Sequence, residues 1–291
     1  MYHDQPKFKA AIILMSRPHF MDEFQEWLDW HSFVGFEHFF VYDDSDGRSL
    51  TKRFGSDPRI TFCNWVERMP NAGEKELGTI QAEYLSRINL RVRDACEWVA
   101  FTDDDEYIVP SKNNLREILD NLKVQNVCGL ELHSRVFGTG DHETKPDGLV
   151  AEEYSFWHPS RVRKTICQPS KIDTIQGLHS LKYHSNQKAI LTNGEVVDDS
   201  KKECDPVYES IWFNHYVVKS HEHFNLKLER GCCNKKILGK TEGGRFKYGS
   251  KFGNLRLEWL SNNHERMSKF SWERETDDLL HRFKKWREYD V

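Results

Sequence analysis

Residues 101–110 read FTDDDEYIVP. Three aspartates and a glutamate follow an apolar lead-in, Cys96-Glu97-Trp98-Val99-Ala100-Phe101. An apolar run that ends in clustered carboxylates reads as a buried strand delivering acids to the lip of a pocket. Carboxylates this close repel one another, so the cluster is costly unless a cation or solvent sits among them. Asp103, Asp105 and Glu106 are therefore candidate ligands of a divalent metal. The plainer reading of the same stretch is an acidic turn with an N-cap before a helix at 115–122.

Upstream, the pattern alternates. Residues 9–15 (KAAIILM) read as a short buried strand, which Ser16-Arg17-Pro18 breaks. Residues 22–33 place Phe24, Trp27, Leu28, Trp30 and Phe33 near the i, i+3, i+4 spacing of an amphipathic helix. Gly35 stands where a helix of this kind ends. Residues 37–42 (EHFFVY) form a second strand, closed by Asp43-Asp44-Ser45-Asp46-Gly47. Residues 59–65 read as a third strand, 78–92 as a helix and 98–102 as a fourth strand. Repeated β–α alternation predicts an α/β fold with a mainly parallel sheet flanked by helices. Ligands of such sheets sit beyond the carboxyl ends of the strands. Ser16-Arg17, Asp43 to Asp46 and Asp103 to Glu106 all fall at such ends.

Downstream, the rhythm changes. Residues 127–137 read as a strand and 138–142 (GTGDH) as a flexible loop. Residues 149–156 read as a short strand or helix start, 164–169 as a strand, and 185–206 as an exposed loop or hairpin. Residues 211–219 read as a strand and 226–231 as a helix with a glycine stop. The basic, Gly-rich segment 235–253 reads as mobile and solvated, and 255–286 as a C-terminal helical tail. The expected organisation is a main domain over 1–231 with a helical extension, 232–291, packed on it.

Composition narrows the function classes. The chain has 291 residues, 38% hydrophobic and 30% charged, with nine Trp and eighteen Phe. That suits an ordinary globular protein with a real core. A formal charge of −4 offers no general pull on nucleic acid or an anionic membrane. No apolar run approaches the ~20 residues of a membrane span, and no signal peptide is evident. Seven cysteines without a C-x-x-C pair suggest reduced thiols and neither a zinc ribbon nor a disulfide framework. The expected location is cytoplasmic, with no nucleic-acid partner.

Asp103 and Asp105 are spaced by one residue, which in an extended turn points both the same way. Such a pair suits Mg²⁺ or Mn²⁺, which take hard oxygen ligands. Ser16 and Arg17 are placed for a nucleotide, and Asp43 or Asp44 for a base N–H or ribose hydroxyl. The alternative for Asp43 is an Asx-turn, and both roles are compatible. Gln81 and Glu83, on the helix before the acidic stretch, are further candidates for the same pocket. Trp27 and Trp30 are expected in the core.

Several motifs occur in one order. They are Glu23-Phe24-x-Glu26-Trp27-Leu28-Asp29-Trp30-His31-x-x-x-Gly35, Phe39 to Asp46 (FFVYDDSD), Trp98-x-x-x-x-Asp103-x-Asp105-Glu106-Tyr107 and Phe137-Gly138-x-Gly140. Asn214-His215-Tyr216-x-x-Lys219-Ser220-x-Glu222 and Lys227-x-x-Arg230-Gly231 follow. Together they resemble glycosyltransferase family 92 and its relatives in the family 2-like superfamily, over roughly residues 9–231. Residues 232–291 carry no matching motif. The resemblance implies a GT-A (Rossmann-like) fold, a nucleotide-sugar donor, UDP-linked, a glycan acceptor, and a divalent cation, Mn²⁺ or Mg²⁺. It implies Asp103 and Asp105 as metal and nucleotide ligands, His215 completing the metal shell, and Lys219 on the leaving diphosphate. Asp104 is expected to turn toward ribose or donor sugar, and Glu106 to support the loop. A metal and a lysine would stabilise the charge that grows on a diphosphate leaving group.

An inverting transferase needs a general base beside the acceptor hydroxyl. Asp141, in the 138–142 loop, is the first choice, with Glu131 and Glu152 as alternatives. Two other function classes remain open at this level: a metal-dependent phosphohydrolase or nuclease, and a non-catalytic carbohydrate-binding protein. The first asks for two metals and more ligands on adjacent strands. The second needs no carboxylate triplet beside a buried strand.

Overall fold

The computed structural model describes residues 6–64, 77–111, 114–177, 180–197, 204–230, 267–276 and 278–290. The segment 235–253, residues 198–203 of the expected 185–206 loop and the start of the expected tail at 255–266 lie outside the described residues.

The opening β–α series is present. β1 (Phe8–Ser16), α1 (Met21–Val34), β2 (His38–Asp43), α2 (Ser49–Phe54), β3 (Ile60–Phe62), α3 (Leu77–Val92) and β4 (Cys96–Phe101) follow one another. β1 lies between β2 and β4, parallel to both, with Ser16 opposite Asp43 and Ile13 opposite Phe101. Its residues Ala10 to Leu14 are fully buried, as a strand covered on both faces must be. Gly35 ends α1 at φ +116, and its N–H is satisfied by the His31 and Ser32 carbonyls. Only glycine takes that backbone without strain.

The second half adds β5 (Glu106–Pro110), α4 (Leu115–Val124), β6 (Gly129–Phe137), α5 (Val150–Glu153) and β7 (Phe156–Cys167). Then come a small hairpin of β8 (Ile172–Gly177) and β9 (Ser180–Tyr183), then β10 (Ala189–Leu191), β11 (Ile211–His215), α6 (His221–Arg230) and β12 (Ser268–Lys269). Among the described residues the main sheet runs β3-β2-β1-β4-β7-β6-β11-β5, with β10 paired to β6 and β12 to β7. β7 is antiparallel to β4 and β6, and β5 is antiparallel to β11. The fold is therefore α/β with a mixed sheet, parallel through the opening series and again where β6 meets β11 and β10.

The order forces a curl. β4 and β5 are consecutive in the chain, yet three strands separate them in the sheet. The link 102–105 reaches at most about 17 Å. Four inter-strand steps in a flat sheet would need about 19 Å. The sheet curls until its β5 edge returns toward the end of β4, and the acidic turn bridges the mouth.

α1 closes that edge from outside. Trp27 Nε1 donates to the Glu106 carbonyl at 2.9 Å, and Trp30 Nε1 to the Ile108 carbonyl at 2.9 Å. The Ile108 N–H donates to His31 Nε2 at 3.2 Å, while His31 Nδ1 donates to the Trp27 carbonyl at 2.8 Å. Those partners require a neutral ring with its proton on Nδ1. Burial agrees, pushing the His31 pKa down to about 3. Three side chains thus replace the missing neighbouring strand of β5. Trp27 and Trp30 are fully buried core residues.

One core joins α1 and α4 to one face of the sheet and takes in Phe270, Leu279, Leu280 and Phe283 near the C-terminus. A second lies on the other face under α3 and the β8–β9 hairpin. The helices Trp272–Thr276 and Leu279–Asp290 cover the β5 side, where Trp272 and Phe283 meet Trp30. Arg135 sits 4.2 to 5.3 Å from the rings of Trp157, Tyr208, Trp212 and Phe270 and pairs with Glu275.

Several sequence expectations change. Residues 106–110 form a strand, not the end of an acidic loop, with Pro110 at its last position, where a strand tolerates it. β7 begins at Phe156 and not at 164, because its first half is polar and part-exposed. Residues 149–156 begin with a single helical turn, one of the two forms expected of them. Residues 189–191 join the sheet beside β6. No helix among the described residues is long and apolar enough to cross a membrane.

Candidate functional site

The mouth of the curled sheet gathers carboxylates from the 102–105 turn and β5, a histidine from β11 and lysines from β7 and α6. The register pairs His215 with Glu106 and Asn214 with Tyr107, which sets the end of β11 against the acidic turn. The Tyr216 N–H donates to the Asp105 carbonyl at 2.8 Å and fixes that approach.

Asp105 is the centre. Its Oδ2 accepts from Lys227 Nζ at 2.9 Å, and its Oδ1 stands 3.6 Å from His215 Nε2. Burial opposes its charge, but Lys227 and His215 outweigh burial and hold the carboxyl well below the usual range. Lys227 also donates to the Val217 carbonyl at 2.8 Å. Burial pushes the His215 pKa down to about 4 against the pull of Asp105.

Asp103 and Glu106 share a different lysine. Lys164 Nζ lies 2.9 Å from Asp103 Oδ2 and 2.9 Å from Glu106 Oε2. Gln81 Nε2 donates to Asp103 Oδ1 at 3.2 Å. The Asp103 N–H donates to Glu106 Oε2 at 2.9 Å, so Glu106 braces the turn from within. Burial, aided by Asp103 and Asp105, raises the Glu106 pKa to about 8 against Lys164.

Asp104 points toward the first strand. Its Oδ2 accepts from Ser16 Oγ at 2.6 Å and from the Arg17 N–H at 3.2 Å. Arg17 Nη2 pairs with Asp46 Oδ2 at 2.6 Å, and its Nη1 reaches the Asp44 carbonyl at 3.4 Å. Ser16, Arg17, Asp44, Gln81, Asp103 and Asp104 therefore form one connected rim. Asp43 is different, being buried and turned inward. Its oxygens accept from the N–H groups of Ser45 at 2.9 Å and Thr51 at 2.8 Å, and from the Thr51 hydroxyl at 2.7 Å. It builds the turn before α2. Glu83 pairs with Arg87 one helical turn on, at 2.7 Å.

Lys219 takes a left-handed backbone, φ +52, and its Nζ pairs with Glu23 Oε2 at 2.5 Å. His223 Nδ1 lies 3.5 Å from the same oxygen. The Lys219 charge still contributes to lowering the Asp105 pKa. His223 and Lys227 are four residues apart on α6 and so share one side of it, while Lys219, just before the helix, meets the same Glu23 oxygen as His223.

Asp141 is exposed, at φ +65. Its loop is tied down by the His221 N–H on the His142 carbonyl at 2.9 Å and by His142 Nε2 near the Glu153 carbonyl at 3.2 Å. That places Asp141 beside the start of α6. Glu131 pairs with Arg163 at 2.7 Å and lies opposite Thr165, while Lys164 lies opposite Leu132. By strand alternation Glu131 is on the other face from Lys164. Glu152 pairs with Lys284 on the C-terminal helix at 2.5 Å.

The sequence reading did not single out Lys164, and it used Lys227 only as a motif letter. A lone lysine leading the apolar Thr165-Ile166-Cys167 was the available signal, since a buried ammonium needs a partner.

A cation at this mouth has a suitable donor pair in Asp105 Oδ1 and His215 Nε2, one hard oxygen and one imidazole. Among the described residues no group of three or more His, Cys, Asp or Glu could hold a metal by itself. Two protein ligands suffice where substrate phosphates supply the rest.

Comparison with known proteins bears on the same region. The profile of glycosyltransferase family 92 matches residues 14–230. A family 92 protein of Oryza sativa subsp. japonica is 29% identical over 167 residues, covering 53% of this chain and 27% of that protein. One from Ricinus communis is 26% identical over 219 residues, covering 69% and 38%. One from Arabidopsis thaliana is 28% identical over 138 residues, covering 44% and 22%. The matched region thus spans well under half the length of these curated relatives. A 4-diphosphocytidyl-2C-methyl-D-erythritol synthase from Anaerococcus prevotii aligns with a TM-score of 0.30 at 8% identity, over 56% of this chain and 72% of that one, too slight a likeness to argue from. With the family profile covering most of the chain and its acidic mouth, this protein belongs to glycosyltransferase family 92.

Proposed function

We propose that this chain is a metal-dependent GT-A glycosyltransferase that moves a sugar from a UDP-sugar to a glycan acceptor with inversion. The observation that carries the reading is Asp105, set between His215 and Lys227 at the mouth of the curled sheet. Asp105 and His215 would hold Mn²⁺ or Mg²⁺, which when bound supplies Lewis-acid stabilisation of the diphosphate leaving group.

The chain's own residues do the rest. Lys227 adds a positive charge beside the leaving group, and Lys219 contributes at longer range. Ser16, Arg17, Asp44, Asp103 and Asp104 line the nucleotide side. Neutral His215 keeps a lone pair for a ligand bond, since burial has already removed its proton at neutral pH. Asp141, exposed beside α6, takes the proton of the acceptor hydroxyl as the sugar's anomeric carbon bonds to that oxygen and releases the diphosphate.

Thermal shift tests the reading. UDP with Mn²⁺ at about a hundred times its Kd should add about 2.7 kcal/mol of stability, and so several degrees to Tm. ADP and GDP should add less. A chain that responds to no nucleoside diphosphate refutes the reading, and hydrolysis of simple phosphate esters would point to a phosphohydrolase.

A further inference from the structure

Lys164 enters the acidic mouth from β7, and the mechanism above does not use it. Its side chain is 1% exposed, so it does not meet a substrate directly. It lies 2.9 Å from Asp103 Oδ2 and 2.9 Å from Glu106 Oε2. Glu106 Oε2 also accepts the Asp103 N–H at 2.9 Å. Ammonium, carboxylate and backbone therefore close a ring on Asp103. The other Asp103 oxygen, Oδ1, accepts from Gln81 Nε2 at 3.2 Å. Both oxygens of Asp103 already have protein donors. Asp105 differs, because among the described residues its Oδ1 faces the His215 ring at 3.6 Å and accepts no hydrogen bond.

Lys164 is buried and its charge is shared between two carboxylates, so losing Asp103 would leave Glu106 as its one ion-pair partner among the described residues, a costly change for a buried ammonium. Asp103 therefore keeps its lysine when a cation arrives. The two aspartates of the D-x-D are consequently not equivalent, although their spacing alone makes them look so.

We propose that Lys164 is a positioning residue of the donor site, holding Asp103 on the nucleotide side and out of the cation's shell. The cation is left to Asp105, His215 and the donor diphosphate. This rests on the donor-site reading above. It sets a single-cation site, in which a lysine built into the sheet is the positive charge that holds Asp103.

Mn²⁺ binding to the full chain, followed by isothermal titration without nucleotide and then with UDP, tests the assignment. Asp103→Asn should leave Mn²⁺ affinity within about twofold, because Asp103 is not a ligand, and should raise the donor KM about tenfold. Asp105→Asn should weaken Mn²⁺ by at least about thirtyfold. Lys164→Gln frees Asp103 to join the cation and should tighten Mn²⁺ about tenfold without nucleotide. Adding Asp103→Asn to Lys164→Gln should abolish that gain. The double variant Lys164→Met with Glu106→Gln removes the buried pair together and, assayed above pH 8 where Glu106 is ionised, leaves net charge unchanged. It should also tighten Mn²⁺, which assigns the effect to Asp103 and not to overall charge, and it serves if Lys164→Gln does not fold.

Two results overturn the proposal while sparing the donor site. One is Asp103→Asn losing Mn²⁺ as Asp105→Asn does. The other is an unchanged Mn²⁺ affinity in folded Lys164 variants. A wild-type chain that binds neither Mn²⁺ nor UDP, or an Asp105→Asn variant that binds Mn²⁺ normally, sinks the donor-site reading and the Lys164 assignment with it.

Discussion

Trp27→Phe tests whether α1 acts as the missing neighbour of β5. Trp27 is fully buried, and its indole N–H satisfies the Glu106 carbonyl at 2.9 Å. Phenylalanine fits inside the vacated volume but carries no donor. The Glu106 carbonyl is then buried without a partner, at about 1–3 kcal/mol. The smaller ring loses roughly another 1 kcal/mol of apolar burial. The sum, about 2–4 kcal/mol, is at the upper end of ordinary single-substitution effects. Urea unfolding followed by far-UV circular dichroism reads it as a lowered midpoint at unchanged slope. Glu106 also braces the acidic turn, so the donor KM should rise in the same variant. Trp30→Phe frees the Ile108 carbonyl on the same strand, and the two substitutions together should depart from additivity by at least about 0.5 kcal/mol. A Trp27→Phe chain within about 0.5 kcal/mol of wild type would refute the edge-strand argument.

Asp43→Ala should cost about 2–3 kcal/mol in thermal unfolding, because it strips acceptors from two backbone N–H groups and two hydroxyls at the start of α2. Burial works against the charge of Glu23, but Lys219 and His223 outweigh it and hold its pKa near 2, below the unfolded value of about 4.5. Its stabilisation, about 3 kcal/mol, is therefore full above pH 4.5 and lost as pH falls toward 2. Glu23→Gln should flatten that acid limb in a pH series of urea midpoints. Arg135→Lys keeps the charge but loses the planar group among Trp157, Tyr208, Trp212 and Phe270. A loss of about 1–2 kcal/mol is expected, with faster hydrogen exchange in 267–276.

The parallel half of the fold was legible because strands buried on both faces are continuous apolar runs. KAAIILM and EHFFVY declare themselves, and glycine and proline punctuate them. β5 was hidden because its apolar residues run directly on from four acids, and because its outer neighbour is a helix. β7 was half hidden because its first residues are polar and exposed. The convergence of Ser16-Arg17, Asp43 to Asp46 and Asp103 to Glu106 could be inferred from strand ends, whereas His215 joined them only through the family resemblance. The partner of each acid could not be inferred, since it depends on which strands lie side by side after the sheet curls. Lys164 reaches Asp103 only because β7 inserts between β4 and β6, a pairing with no local signal. The same holds for Lys219, which is four residues from His215 in sequence yet meets Glu23 on α1.

The proposed function stands on Asp105 and His215 as the anchor of the catalytic cation at the mouth of the curled sheet. Release of UDP from a panel of UDP-sugars, measured with and without Mn²⁺ in wild type and in Asp105→Ala, tests it most directly. The expected result is Mn²⁺-dependent release from at least one donor, falling by a factor of about 100 or more in Asp105→Ala while the variant's circular dichroism spectrum is unchanged. Donor turnover that survives in Asp105→Ala, or that is indifferent to divalent cations in wild type, would contradict it.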